Sequence, residues 1–214
     1  MDLSETARDG IDSRRGGAPG APAMAYMPSR KLQGRIALIN CGDGTFARTV
    51  ALCFALEGAR VALCNHGGTG FAREIRREIR SHGGTCLVLQ EQCRGSDACL
   101  RLVEHVVAQL GALDILVNSG NTTVEPGDDQ LSRIEATFRS STFPYLYLMT
   151  AALPYLPAGG CVINSSLLAS GGGDCIDPDT DAAESAIVAL TRSFARAAAA
   201  RGIRVNAISR STMG

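Results

Sequence analysis

A single lysine, Lys31, stands in a chain of 214 residues, so any chemistry that needs an ammonium group must use it or fail. Long apolar runs are also missing. None approaches the ~18–20 residues of a membrane span. The polar N-terminus, MDLSETARDG, has no apolar run followed by a small-residue cleavage site, which argues against a secretory signal. Net charge is absent as well: 21 basic side chains balance 21 acidic ones, and no non-specific nucleic-acid partner is suggested. Eight cysteines occur, at 41, 53, 64, 86, 93, 99, 161 and 175, but none in C-x-x-C or zinc-finger spacing. Reduced, buried thiols in a cytoplasmic protein, with no nucleic-acid or membrane partner and no metal, are the expectation.

What is present is a globular balance, 45% apolar and 20% charged, in a length that suits one domain with a full core. Residues 1–31, with the run RRGGAPGAPAMAYMP, read as a disordered N-terminal arm. From Leu32 short apolar runs alternate with helical patterns. Strands are expected at Arg35–Cys41, Arg60–Asn65, Cys86–Gln90, Leu113–Asn118, Cys161–Asn164 and Ile203–Ile208. Helices are expected at Phe46–Leu56, Gly70–Ser81, Asp97–Leu110, Leu131–Leu156 with a disturbance at Pro144, and Ala182–Arg201. Near-continuous apolar strands alternating with helices imply a parallel sheet covered on both faces. The fold class is therefore α/β, a Rossmann-type doubly wound sheet in three αβα layers over residues 32–214.

The first strand leads into Gly42-Asp43-Gly44-Thr45-Phe46-Ala47 and then a helix. This is G-x-G-x-x-A in the context of a dinucleotide fingerprint: small residues admit a pyrophosphate to backbone amides at a helix N-terminus. A tight turn without ligand is the competing reading. Two features weaken a coenzyme. Asn65, followed by His66, stands where a carboxylate usually holds the ribose, and Asp43 adds negative charge to the loop. The candidate binding set is Gly42, Gly44, Thr45, Phe46, Ala47, Asn65, His66, Asn118, Ser119 and Gly120. NADP or NAD is the expected coenzyme, with weakened affinity.

These stretches, with Leu113–Asn118, Ala189-Leu190-Thr191-Arg192-Ser193 and Gly202–Ala207, resemble the short-chain dehydrogenase/reductase family from about Leu32 to Ile208. Thr142-Phe143-Pro144-Tyr145-Leu146 and Asn65-His66 are similar to its pteridine-reductase-like branch. The resemblance places the family's T-G-x-x-x-G-x-G turn on Asn40, Cys41, Thr45 and Ala47, and its NNAG motif on Asn118-Ser119-Gly120-Asn121. The acid that contacts adenine falls near Cys93. The catalytic Asn, Ser, Tyr and Lys fall on Ser141, Leu167, Thr180 and Glu184, and the P-G pair on Arg210-Ser211. No tyrosine follows Tyr155 and no lysine follows Lys31, so Y-x-x-x-K is unavailable in any register. An isolated phenol, with a pKa of about 10, exchanges protons poorly near neutrality, which is why the family pairs it with lysine. The resemblance also implies a seventh strand, before which this chain stops.

No catalytic residue is therefore assigned. The leading expectation is a non-catalytic pseudoenzyme, a binding or assembly subunit in an oligomer with itself or with an active homologue. The alternative is an NAD(P)(H)-dependent oxidoreductase of carbonyl or pteridine reductase type with altered proton donation. A decayed or truncated gene product is the third. Cys41, Cys64 and Cys93 converge near His66 at the ends of strands one to three, which suits a soft metal or redox site; the competing reading is three small space-filling residues. Arg73, Arg76, Arg77 and Arg80 interleave with Glu74 and Glu78 as an ion-paired helix face.

Overall fold

The computed structural model describes residues 26–41, 45–65, 69–91, 93, 95–119, 130–166 and 178–209. Six parallel strands form one sheet in the order β3-β2-β1-β4-β5-β6. They are β1 (Ile36–Cys41), β2 (Arg60–Asn65), β3 (Thr85–Leu89), β4 (Ile115–Ser119), β5 (Cys161–Ser166) and β6 (Arg204–Ser209). The helices are α1 (Thr45–Leu56), α2 (Thr69–Ser81), α3 (Ser96–Leu110), α4 (Gln130–Ser140), α5 (Thr142–Ala152) and α6 (Pro178–Ala198). The Rossmann-type αβα expectation holds.

Alternation along each strand sends side chains into two separate cores. Leu38, Ala62, Leu116 and Val162 face α3, α5 and α6, where Leu102, Val106, Leu148 and Ile187 pack on them. Ala37, Ile39, Val61 and Leu63 face α1 and α2 and meet Ala51, Ile75 and Ile79. The apolar runs of the strands follow from this double cover. The order reverses between β1 and β4, so their carboxyl ends bound a crevice.

Three boundaries differ from expectation. The single helix expected over 131–156 is two, broken at Ser141 and not at Pro144. The Ser141 backbone N–H and Oγ both donate to the carbonyl of Thr137, at 3.0 and 2.6 Å. Pro144 lies in the first turn of α5, where a missing N–H costs nothing. Helix α6 starts at Pro178, with Asp179 and Asp181 in its first turn, four residues before the expected Ala182. Proline at the first position and acids beside the positive helix end favour that start. The four α2 arginines do not all share the helix's ion pairs: Glu74 and Glu78 both face Arg48 of α1.

Residues 26–31, assigned by composition to the arm, converge on one buried carboxylate. Glu57, only 7% exposed, accepts from the backbone N–H of Ser29 at 3.2 Å and of Lys31 at 2.8 Å, and from the Tyr26 hydroxyl. Gly58 then stops α1 at φ +94°, where a Cβ would fall 2.6 Å from Gln33 Oε1. The Tyr26 hydroxyl and the two amides hold the Glu57 carboxyl down at about 2, against an ordinary value of 4.5. The same bond pushes the Tyr26 phenol up to about 12. A depressed carboxyl stabilises the fold when ionised, so its contribution is complete above the unfolded value near 4.5 and is lost as pH falls toward 2. Glu57→Gln is expected to lower the thermal midpoint by several degrees at pH 7, with the gap to wild type closing as melts are recorded at successively lower pH. A gap that persists undiminished at pH 2 contradicts this.

Candidate functional site

The carboxyl ends of β1, β2, β4 and β5 carry asparagine and serine where the rest of each strand is apolar. Asn40, Asn65, Asn118, Ser119, Asn164, Ser165 and Ser166 are all buried. Parallel register places Asn40 beside Asn118, and Asn118 beside Asn164. The same pairing places Asn65 at the end of β2, level with Cys41. A polar layer therefore caps the sheet on the side of the crevice.

One chain of hydrogen bonds orders it. Asn118 Nδ2 donates to Asn164 Oδ1 at 2.8 Å. Asn164 Nδ2 donates to Thr191 Oγ1 at 2.8 Å, and Thr191 donates to the Ile187 carbonyl at 2.7 Å. Each donor is spent in the direction of α6. Asn118 Oδ1 is left buried without a hydrogen-bond partner among the described residues. A buried carbonyl oxygen so placed costs about 1–3 kcal/mol unless something donates to it. It is an acceptor at the topological switch point, a fit for a ligand hydroxyl or amide.

The candidate binding set divides as follows. Ala47 is fully buried in the first turn of α1 and Phe46 is half-buried beside it. Thr45 opens that helix, whose first turn contains no acid, so its positive end is not neutralised from within. Asn65, Asn118 and Ser119 join the buried polar layer. Gly42, Gly44, His66 and Gly120 lie outside the described residues. So do Leu167, Asn121 and Arg210-Ser211.

Three of the positions where the family resemblance sets its chemistry are described, Ser141, Thr180 and Glu184. Ser141 spends its hydroxyl on Thr137, as above. Thr180 is half-buried in the first turn of α6, and Glu184, one turn on, is 3% exposed. The seam beside them is tied by Thr137 Oγ1 donating to Asp179 at 3.0 Å, with Arg133 3.7 Å from the same carboxylate, and by Thr142 donating to the Ala183 carbonyl at 3.1 Å. Thr137 holds the Asp179 carboxyl below its ordinary value. Sequence reasoning passed over Tyr145, a phenol from α5 at the end of β5. It is 1% exposed, and its hydroxyl donates to the Ser165 carbonyl at 3.0 Å, so it braces the layer.

The thiols expected to converge do so in part. Cys64 and Cys93 are buried in one core, with Cys99 of α3 as their third member. Cys41 contributes no described side chain, and His66 lies outside the described residues. No group of three His, Cys, Asp or Glu among the described residues is arranged to hold a metal ion. Nor is any described helix long and apolar enough to cross a membrane.

Comparison with known proteins follows the geometry. A family model described as enoyl-(acyl carrier protein) reductase matches residues 43–214. The uncharacterized oxidoreductase YhdF of Bacillus subtilis is 34% identical over 203 residues, covering 93% of this chain and 70% of the relative. NADPH-dependent aldehyde reductase 1, chloroplastic, of Arabidopsis thaliana is 32% identical over 202 residues, covering 89% and 69%. Among solved structures, a short chain dehydrogenase from Burkholderia cenocepacia J2315 in complex with NADP superposes with a TM-score of 0.76 at 28% identity, covering 83% of this chain and 74% of that one. The expectation of a non-catalytic binding or assembly subunit is overturned by these relatives, which are named as oxidoreductases. Its physical weakness was to give four missing side chains more weight than the buried polar layer that Asn65, Asn118 and Ser119 form at the strand ends.

Replacing Asn164 by Leu removes the link between Asn118 and Thr191 and strands the buried Asn118 amide donor, while Thr191 keeps its bond to the Ile187 carbonyl. A loss of about 1–3 kcal/mol in urea unfolding is expected. A variant as stable as wild type would show the chain to be incidental.

Proposed function

This chain belongs to the short-chain dehydrogenase/reductase family, and from that premise we propose that it is an NAD(P)(H)-dependent oxidoreductase of carbonyl-reductase type with altered proton donation. The observation that carries the reading is the buried Asn118 Oδ1 at the switch point, which has no hydrogen-bond partner among the described residues. Such an acceptor is expensive in an empty fold and useful in one that holds a ribose or carboxamide. The relative named for NADPH-dependent aldehyde reduction and the neighbour solved with NADP support both the coenzyme class and the substrate class.

The N-terminal turn of α1, with Ala47 presenting no bulk, would take the pyrophosphate. Asn65 would meet the adenosine ribose. Asn118 and Ser119 would line the path toward the nicotinamide, with the Asn164–Thr191 chain fixing which edge of the Asn118 amide faces it. When bound, the reduced nicotinamide supplies a hydride to the substrate carbonyl carbon. The proton for the resulting alkoxide comes from solvent or from the substrate itself, since Thr180 and Glu184 replace the usual phenol and ammonium. An amide at the end of β2 in place of a carboxylate removes the repulsion that a 2′-phosphate would meet, which favours NADP over NAD.

A fluorescence or calorimetric titration is expected to give NADPH binding at about micromolar Kd. Steady-state assays with aldehydes are expected to show coenzyme-dependent turnover. No binding of either coenzyme at millimolar concentration would remove the proposal. Asn65→Asp is expected to shift the coenzyme preference toward NADH by about tenfold or more, by restoring a ribose-binding carboxylate that repels the 2′-phosphate. An unchanged ratio of the two Kd values would place Asn65 away from the ribose.

A further inference from the structure

Helix α2 keeps its charges on separate sides. With 3.6 residues per turn, Ala72, Ile75 and Ile79 share the face that packs into the core. Glu74 and Glu78 lie on the side of α1, where both carboxylates meet Arg48. Arg73, Arg76, Arg77 and Arg80 fall on the opposite flank. Their spacing of i, i+3, i+4 and i+7 makes one ridge about 10 Å long. Arg73, Arg77 and Arg80 are exposed and Arg76 is half-buried. None of the four has an ion pair or a side-chain hydrogen bond among the described residues.

That flank overlooks an edge of the sheet. Among the described residues β3 pairs with β2 alone, so its outer row of backbone N–H and C=O groups has no ladder partner there. Arg76 and Arg80 act on the strand itself: burial pushes the Cys86 thiol up to about 11, and both guanidinium groups pull against that rise. Alternation puts Cys86 and Val88 on the α2 face of the sheet, and Leu87 and Leu89 on the other. Leu87 and Val88 are only half-buried and Thr85 is exposed, so the edge keeps apolar surface open on both faces. Antiparallel pairing of two copies across this edge would bring both α2 helices to one face and set ridge against ridge. A nucleic acid or an anionic membrane would meet the arginines but leave the strand unpaired and its apolar side chains uncovered.

We propose that the β3 edge and the α2 arginine ridge form a docking surface for an acidic, extended segment of a protein partner, which adds a strand beside β3. Main-chain hydrogen bonds to β3 supply affinity, and alternate side chains supply specificity. Acids at every second position of such a strand share one face and recur about every 6.7 Å, so two or three of them span the ridge. Each carboxylate can take a guanidinium in a two-bond fork. The residues between them point to the opposite face, beside Leu87, and suit apolar side chains. The surface lies two strands away from the crevice at β1 and β4, so it stands whether or not a coenzyme binds.

The full chain is titrated by fluorescence anisotropy with a labelled, end-blocked peptide that alternates glutamate and valine. Saturable binding that weakens with added salt is expected, with new hydrogen-exchange protection of the β3 amides, Thr85–Leu89. A peptide of the same charge with proline at its centre should bind about tenfold more weakly or worse, because it loses ladder hydrogen bonds. Arg77→Glu combined with Arg80→Glu should weaken the first peptide by about tenfold or more, and Arg192→Glu, on exposed α6 surface, should leave it unchanged. The two peptides on wild-type protein decide even if a variant folds poorly. No saturable binding at millimolar peptide, equal affinity for the proline peptide, or binding without protection of β3 overturns the proposal. So does tighter binding of oligothymidylate or of phosphatidylserine vesicles than of the alternating peptide.

Discussion

The inner strands of this sheet, β2, β1, β4 and β5, are covered on both faces, and that constraint governs the rest of the molecule. Inside such a sheet apolar side chains need only fit; polar ones must find partners or a ligand. The strands comply by being apolar along their length and polar only where they end. Asparagine on three adjacent strands then forms a line across the switch point, and the Asn118–Asn164–Thr191 chain ties that line to α6. The amide of Asn118 is thereby oriented: its donor faces β5 and its acceptor has no partner among the described residues.

Glu57 applies the same rule at the other end of α1. Its carboxylate is withdrawn from water at a helix terminus and is stabilised by donors from residues 26–31. These residues have no apolar payload that would explain their placement, and polar satisfaction of one acid supplies it. Tyr26 adds its hydroxyl to the two backbone amides, which is why the carboxyl is held so low.

The parts legible in the sequence were those set by local periodicity and by strand ends. Near-continuous apolar runs fixed six strands within a few residues, and Gly58 and Gly111 fixed two helix stops. Asn65, Asn118 and Ser119 fall at the buried carboxyl ends of their strands, where the expected strand bounds placed Asn65 and Asn118. What could not be read depended on who stands across from whom. The Asn164–Thr191 link needs the β4–β5 register and the seating of α6. The convergence on Glu57 joins residues about thirty apart, with no repeat to announce it. Cys99 was missed as the third thiol because its helix had to be oriented before its first turn could be placed in the core with Cys64 and Cys93. Pro144 drew the helix break toward itself, although proline in a first turn is harmless and Ser141 had the means to end a helix.

The error about function has a quantitative root. A positioned general acid is worth roughly 10²–10⁴ in rate. Holding two reactants in a near-attack geometry is worth far more, with effective molarities of about 10⁵–10⁸ M. On the proposed reading, the crevice and its polar lining would supply the second of these, and the missing tyrosine and lysine would take away the first. The buried Glu184 sharpens the point. A carboxyl in place of an ammonium cannot lower the pKa of a phenol, but with Thr180 replacing the phenol there is no such group to tune. In the proposed reaction, proton delivery would depend on water reaching the carbonyl oxygen or on an acidic group in the substrate, and the rate would respond to substrate acidity and buffer pH in a way that a tyrosine–lysine pair would suppress.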